Sequence, residues 1–326
     1  MFHSVHFMRA VAAIVVTTSH TFNVVGVPKS ILIGDVGVDI FFVISGFVVT
    51  VSTPDGSPPV RFLLRRLIRV VPLYWLATFS IVGYSYWKWG VAPDPREMAD
   101  SLLLYPSLGG RWFPLLFPGW TLAFELLFYF TFFVALIFVR RRAALFAAAM
   151  MAALMALNPS TIQTASLLEF SAGVLLGYAY FNRAQSYYDD RLGVFLLSAG
   201  LVIFTVNIYG VATRSIGWGI PSLFLVAGLL QFEPQTLLRA SLVRILGDAS
   251  YSLYLFHIPV MTVLREAAFT LGFDYKSHLP LFCIFLVIAS IVLSIAIHLA
   301  IEKPMLRIFN GMLDRSQRKP SLLPVN

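Results

Sequence analysis

Long apolar runs dominate this chain and limit the folds that it can adopt. Segments of roughly 20 residues with few charged side chains recur along most of the sequence. Hydrophobic residues make up 58% of the chain and charged residues 12%, about half the charged fraction of a soluble domain. Runs of this length are typical of membrane-spanning helices. We therefore predict an all-α, polytopic membrane protein.

The runs predict a bundle of about ten transmembrane helices, with Gly and Pro at most of the helix ends. The predicted spans are 5–25, 36–53, 70–89, 119–139, 143–158, 166–182, 192–209, 216–232, 249–269 and 280–301. We expect residues 1–310 to form one membrane domain and residues 311–326 a short basic cytoplasmic tail. The longest connection, 90–118, is expected to face the outside, with a partly re-entrant segment.

Basic residues predict the orientation of this bundle. If the N-terminus lies in the cytoplasm, 17 of the 24 Lys and Arg residues fall on the cytoplasmic side. This bias predicts that both termini are cytoplasmic. The net charge of +8 comes from short clusters between apolar runs, so we attribute it to orientation and exclude nucleic acid as a partner. The single cysteine, Cys283, excludes an intrachain disulfide.

Arg9 and His20 are ionisable residues inside the first apolar run. Their spacing of about three helical turns places both side chains on one helix face. Ionisable groups are costly in a bilayer and therefore point to a functional site. The structural alternatives are a cytoplasmic anchor for Arg9 and a helix–helix hydrogen bond for His20.

Carboxylates enter the predicted bundle from the outer side. Asp35 and Asp39 are one turn apart at the start of the second helix, where Asp35 can instead satisfy the helix dipole. Glu125 lies about 9 Å inside the fourth predicted helix, and His20 lies about 8 Å inside the first. These matching depths predict a general-base pair in which Glu125 or Asp39 orients His20. A purely structural pair is the alternative.

A cluster of arginines follows the second helix in the segment RFLLRRLIRVVPLYW. Arg65, Arg66 and Arg69 fall in a connection that we expect to face the cytoplasm. Guanidinium groups bind phosphate through paired hydrogen bonds, so the cluster predicts a docking site for a phosphorylated ligand. Orientation charge combined with contact to anionic membrane lipid is the alternative.

Two later helices carry polar residues at helical spacing. Ser250, Tyr254 and His257 share one face of the ninth predicted helix, and His298 and Glu302 end the tenth. Structural helix–helix bonding is the alternative for both sets. The sequence contains no HExxH motif and no Cys/His cluster, so we predict no metal site.

In combination these segments resemble the acyltransferase 3 family of bacterial membrane O-acyltransferases, over essentially the whole chain. The matching segments are RAVAAIVVTTSH, GDVGVDIFFVISGF, the R-x-x-R step before PLYW, the W-x-L-x-x-E run that ends at Glu125, SYSLYLFHIP and the terminal Glu302-Lys-Pro. The resemblance implies a bundle of ten or so helices in the bacterial cytoplasmic membrane. It also implies transfer of an acyl group, commonly acetyl from acetyl-CoA, to a sugar hydroxyl.

The resemblance and the polar residues together suggest roles for individual side chains. Acetyl-CoA is expected as a co-substrate, with no bound cofactor. The expected catalytic residues are His20, Glu125 and Asp39; Arg9, Arg65, Arg66 and Arg69 are expected to bind acyl-CoA; Trp120, Tyr254 and His257 are expected to bind the acceptor. Many family members also carry an extracytoplasmic SGNH hydrolase-like domain. With its short tail, this chain is similar to standalone members that decorate exopolysaccharide, including lipid-linked repeat units.

The sequence leaves two mechanisms and one other function open. His20 can act as a general base on the sugar hydroxyl, or it can form a transient acyl-imidazole. A proton-coupled transporter would also use buried His, Glu and Asp residues. Against a transporter, we find no internal repeat between the two halves, and the arginine cluster has a clearer use in binding acyl-CoA.

Overall fold

The computed structural model describes residues 2–27, 33–54, 56–105, 113–139, 142–157, 166–182, 188–207, 215–233 and 240–316. These residues form twelve α-helices joined by short connections, with no β-strand among them. The helices are α1 His3–Val24, α2 Ile33–Ser52, α3 Pro59–Trp89, α4 Pro95–Leu103, α5 Gly119–Phe138, α6 Ala143–Leu157, α7 Leu167–Asn182, α8 Asp190–Asn207, α9 Ile220–Leu230, α10 Ser241–Thr270, α11 Leu279–Ile297 and α12 Lys303–Ser316. Two π-helical turns, Ser215–Gly219 and His298–Glu302, lead into α9 and α12.

Four helices are long and apolar enough to cross a membrane by length and composition. They are Pro59–Trp89, Gly119–Phe138, Asp190–Asn207 and the continuous helix Leu279–Arg315. The all-α prediction is confirmed for the described residues, and these helices support a membrane protein, while the number of ten spans stays a prediction. α1 and α10 are long enough but are more polar, because they carry the ionisable residues discussed below.

α1 lies at the centre of the bundle, where it packs against α2, α10 and α11. On its other side, α2 packs against α7 with the two backbones in contact. A Cβ atom on Gly173 would lie 2.1 Å from the carbonyl oxygen of Val43, and one on Gly46 would lie 2.3 Å from that of Phe170. Only glycine fits at such a contact. This close packing fixes α2, and therefore the side chains that α2 presents to the interior.

The arginine-rich segment is helical, which the sequence reasoning did not expect. Residues 61–69 belong to the first turns of α3 rather than to a connection, because α3 begins at Pro59 and continues through Pro72. Proline at the first helical position suits a helix start, and a proline within a membrane helix is tolerated. The arginines consequently occupy fixed positions on one rigid element.

The predicted outer connection contains the short helix α4. Its N-cap residue Asp94 accepts a hydrogen bond from the backbone N–H of Arg96 at 2.8 Å. Residues 106–112 of this connection lie outside the described residues, as does the side chain of Asp35. The predicted domain boundary at residue 310 falls within α12, whereas residues 317–326 of the predicted tail are not among those described.

Candidate active site

Two histidines meet where α1 packs against α10. Nδ1 of His20 lies 2.8 Å from Nε2 of His257, and the two rings are stacked with their centroids 5.0 Å apart. His257 is completely buried. Its second ring nitrogen, Nδ1, lies 3.0 Å from the carbonyl oxygen of Leu253, one turn earlier on α10.

This chain of hydrogen bonds assigns the tautomer of each neutral ring. The Leu253 carbonyl can only accept, so the hydrogen of His257 is on Nδ1. Nε2 of His257 then carries the lone pair and accepts from Nδ1–H of His20. The lone pair of His20 is consequently on Nε2, the ring nitrogen that points away from His257. A carbonyl that belongs to the helix backbone thus fixes which nitrogen of His20 is basic.

Neighbouring side chains hold this end of the bundle together, which we call the histidine end. The hydroxyl of Tyr254 lies 2.6 Å from that of Thr121 and donates to the carbonyl oxygen of Pro118 at 3.1 Å. These contacts join α10 to the start of α5. The ring of Phe117 meets the ring of His20 edge-on, with the ring centroids 5.6 Å apart, so the half-buried His20 contacts one aromatic ring and one imidazole ring.

Glu125 does not pair with His20 as the sequence reasoning expected. Its carboxylate accepts hydrogen bonds from Ser45 at 2.8 Å and from the hydroxyl of Tyr129. Glu125 lies one turn beyond Thr121 on α5, and Thr121 is the residue whose hydroxyl contacts Tyr254. Helix ends that are placed from sequence alone do not determine which side chains meet across the bundle.

Glu125 lines a cavity in the middle of the bundle. The cavity has a volume of about 90 Å³ and lies between α2, α3, α5 and α10, with Arg9 of α1 at its wall. The hydroxyl-bearing and ionisable residues of its lining are Arg9, Ser45, Arg66, Arg69, Thr121, Glu125, Tyr129, Tyr251 and Tyr254. Tyr254 also contacts His257, with ring centroids 6.2 Å apart. The ring of Tyr254 therefore lies between the cavity and His257 and contacts both.

At its other end the cavity adjoins a wide basic groove, and we call this end of the bundle the arginine end. The groove has a volume of about 580 Å³ and lies between α3, the α2–α3 connection and α12. Arg66 and Arg69 line both the groove and the cavity. Arg66 donates to Ser52 at 2.9 Å and lies over the rings of Phe62 and Tyr129 at 5.6 Å from each. These two arginines therefore form the neck between groove and cavity.

The remaining predicted site residues divide into lining and packing positions. Arg9 is half-buried and lines the cavity, while Arg65 faces the groove and donates to Asp314 at 3.0 Å. Asp39 is completely buried on α2, whereas its neighbours Val38 and Phe41 line the cavity. Trp120 packs edge-on against Phe42 and Phe124 and contributes to the core rather than to the cavity wall.

Several residues of this arrangement were not predicted as site residues. Tyr129 follows Glu125 by one helical turn, a spacing that could have revealed the pair, but nothing in the sequence places Ser45 beside them. A second polar cluster involves the π-helical turn, where Glu302 accepts from Ser252 at 2.7 Å and pairs with Nδ1 of His298 at 2.8 Å. Among the residues that the structure describes, no three potential metal ligands converge.

Comparison with known proteins finds similarity over most of the chain. The family model described as an acyltransferase domain, acyltransferase 3, matches residues 2–299. The exopolysaccharide production protein ExoZ of Rhizobium meliloti (strain 1021) is 32% identical over 294 residues, 84% of this chain and 90% of that protein. The acyltransferase MdmB of Streptomyces mycarofaciens is 26% identical over 274 residues, 70% of this chain and 68% of that protein. No solved structure matches significantly. The chain belongs to the acyltransferase 3 family.

Proposed function

We propose that this protein is a membrane O-acyltransferase of the bacterial cytoplasmic membrane, with both termini in the cytoplasm. It moves an acyl group, in the simplest case acetyl, from cytoplasmic acyl-CoA to a sugar hydroxyl of an envelope or exopolysaccharide glycan. The observation that carries the proposal is the polar path from the basic groove, through the neck at Arg66 and Arg69, to the cavity beside the histidine pair. The name of the ExoZ relative, an exopolysaccharide production protein, supports an exopolysaccharide glycan, which can be lipid-linked.

The donor enters at the arginine end. Its diphosphate binds the guanidinium groups of Arg66 and Arg69, which are the hydrogen-bond donors best suited to phosphate oxygens. The narrow pantetheine arm then lies in the cavity along Tyr129 and Tyr251 and carries the thioester toward Tyr254. A path with charge at its mouth and aromatic walls inside suits a ligand with a charged head and a less polar arm.

The acceptor reaches His20 from the histidine end. Nε2 of His20 removes the proton of the sugar hydroxyl while the sugar oxygen attacks the thioester carbonyl carbon. The new carbon–oxygen bond forms, the carbon–sulfur bond breaks, and the departing CoA thiolate takes the proton from His20. His257 does not react, but it accepts the hydrogen bond from Nδ1–H of His20 and stabilises the imidazolium that forms during the step.

Glu125 and Arg9 act within the cavity rather than on the acceptor. Glu125 fixes the hydroxyls of Ser45 and Tyr129, and Arg9 lines the same cavity. A carboxylate in this position offsets the positive charge of Arg9, Arg66 and Arg69, which would otherwise repel one another where the donor passes. Glu125 thereby reduces the repulsion among these arginines along the path that the pantetheine arm of the donor takes.

The test is transfer of radiolabelled acetyl from acetyl-CoA to envelope glycans by the purified protein. Label that moves to the glycan and requires His20 supports the proposal. Uptake into vesicles without covalent transfer would instead support a transporter. Label that remains on the protein when the acceptor is omitted would identify an acyl-histidine intermediate, because Nε2 of His20 is also the nitrogen that could act as a nucleophile.

A further inference from the structure

The four arginines that line the groove fall into two pairs with different partners. Arg66 and Arg69 form the neck of the cavity. Arg61 and Arg65, one helical turn apart on α3, both donate to the same atom, Oδ1 of Asp314, at 2.8 Å and 3.0 Å. All four line the groove, but only the Arg66–Arg69 pair also lines the cavity.

Because Arg61 and Arg65 both donate to one oxygen of Asp314, their guanidinium groups converge on a single position that a negatively charged oxygen can occupy. We call these two residues the outer pair. The carboxylate comes from α12, whose Leu306 and Asn310 form the opposite wall of the groove. The side chains of Arg61, Arg65 and Asp314 are 38%, 48% and 44% exposed, respectively, so each ion pair is weak and easily exchanged. A phosphate monoester presents three acceptor oxygens and nearly two negative charges, and is a better partner for two converging guanidinium groups than one carboxylate oxygen.

We propose that Arg61 and Arg65 form a subsite for a phosphate monoester, the 3′-phosphate on the ribose of CoA, and that Asp314 occupies this subsite until the donor arrives. The inference rests on the proposed function, because it takes acyl-CoA as the donor. In this arrangement, the neck binds the diphosphate of the donor. The outer pair distinguishes CoA from nucleotides that lack the 3′-phosphate. Exchange of Asp314 for phosphate also frees α12 from α3 when the donor binds.

The test compares CoA with dephospho-CoA, which lacks only the 3′-phosphate, by calorimetric titration of the full chain in detergent. The wild-type protein is expected to bind CoA roughly tenfold more tightly than dephospho-CoA. The double variant Arg61→Ala/Arg65→Ala is expected to bind both nucleotides as the wild type binds dephospho-CoA. Arg307→Ala removes an exposed charge from the same end of the bundle, and it should leave the tenfold ratio unchanged.

Asp314→Asn provides a second, independent variant, because it retains both arginines. It should bind CoA several-fold more tightly than the wild type and leave dephospho-CoA binding unchanged. Three results would each overturn the inference. The wild type binds the two nucleotides equally, the double variant loses the same affinity for both, or Asp314→Asn binds CoA more weakly than the wild type. If acetyl transfer proceeds while the wild type binds CoA and dephospho-CoA with equal affinity, only the proposed subsite is wrong. If neither nucleotide binds and no acetyl is transferred, the proposed function is wrong as well.

Discussion

The histidine end and the arginine end of the bundle are built in opposite ways. At the histidine end, His257 is completely buried and its ring is held by a backbone carbonyl on one side and by His20 on the other. At the arginine end, Arg65 is exposed, and Arg66 is held by a single hydroxyl and by contacts with aromatic rings. At the histidine end, hydrogen bonds fix the positions of individual ring nitrogens. At the arginine end, positively charged side chains line a wide groove.

This difference matches the two tasks of a transferase. Proton transfer depends on which nitrogen carries the hydrogen and on a donor–acceptor distance near 3 Å, so a histidine whose tautomer is fixed by defined hydrogen bonds suits this task. Capture of a flexible phosphate ligand depends mainly on charge and tolerates movement of side chains. Substitutions at the histidine end should therefore lower kcat, and substitutions at the arginine end should mainly raise KM for the donor.

His20→Ala should have the largest effect, a loss of ~10²- to ~10⁴-fold in acyl transfer, because it removes the base. The measurement is the rate of acetyl transfer from labelled acetyl-CoA, with the amount of membrane-inserted protein determined in parallel. His278→Ala, in the connection between α10 and α11, is the matched control and should retain activity. Wild-type transfer by the His20 variant would rule out the histidine end as the reaction centre.

Two substitutions at His257 should show whether this residue orients the ring of His20 or only fills space between the helices. His257→Leu removes the acceptor for Nδ1–H of His20 and should lower kcat about a hundredfold, because the tautomer of His20 is no longer fixed. His257→Gln places an amide oxygen near the position of Nε2 and should recover much of that loss. Steady-state kinetics with a fixed acceptor would measure both. Equal loss in the two variants would mean that His257 serves packing alone.

Glu125→Gln should have an intermediate effect, about tenfold to thirtyfold, mainly on KM for acyl-CoA, because the charge that offsets the arginines is lost while the amide can still accept from Ser45. Glu97→Gln on α4 is a control of the same chemistry at an exposed position. A fall in kcat at unchanged KM would instead return Glu125 to the catalytic role that the sequence suggested.

Arg66→Ala should have the smallest effect, raising KM for acyl-CoA about fivefold to tenfold at unchanged kcat, since the side chain is only partly buried. The same variant should weaken the dependence of KM on salt concentration, because one phosphate contact is removed. Arg307→Ala controls for the loss of surface charge. An effect on kcat alone would show that the neck does not bind the donor.

Much of the fold could be predicted because its information is local. Each of the ten predicted segments overlaps a helix of the structure, since a run of apolar residues is sufficient to specify a helix in lipid. The helical position of Arg61 to Arg69 was missed because Pro72 marked a helix start in the sequence, whereas the helix continues through it. A proline alone does not show whether a membrane helix begins or merely bends.

The site could be predicted only in part, because its contacts join distant segments. Helical spacing correctly placed Tyr254 and His257 on one helix, and both are at or beside the cavity. The partner of His20 depends on the axial offset and rotation of α1, α5 and α10, which spacing within one helix does not determine. In the structure His20 contacts His257, whereas Glu125 contacts Ser45 and Tyr129.

The central claim is that the bond to His257 places the reactive lone pair of His20 on Nε2. ¹⁵N NMR of histidine-labelled protein near neutral pH tests it directly, with the His20 signals identified by their loss in His20→Gln. The account predicts a protonated Nδ1 and an unprotonated Nε2 for the neutral ring of His20, and a loss of that preference in His257→Leu. A protonated Nε2 with an unprotonated Nδ1 in the wild type would contradict it.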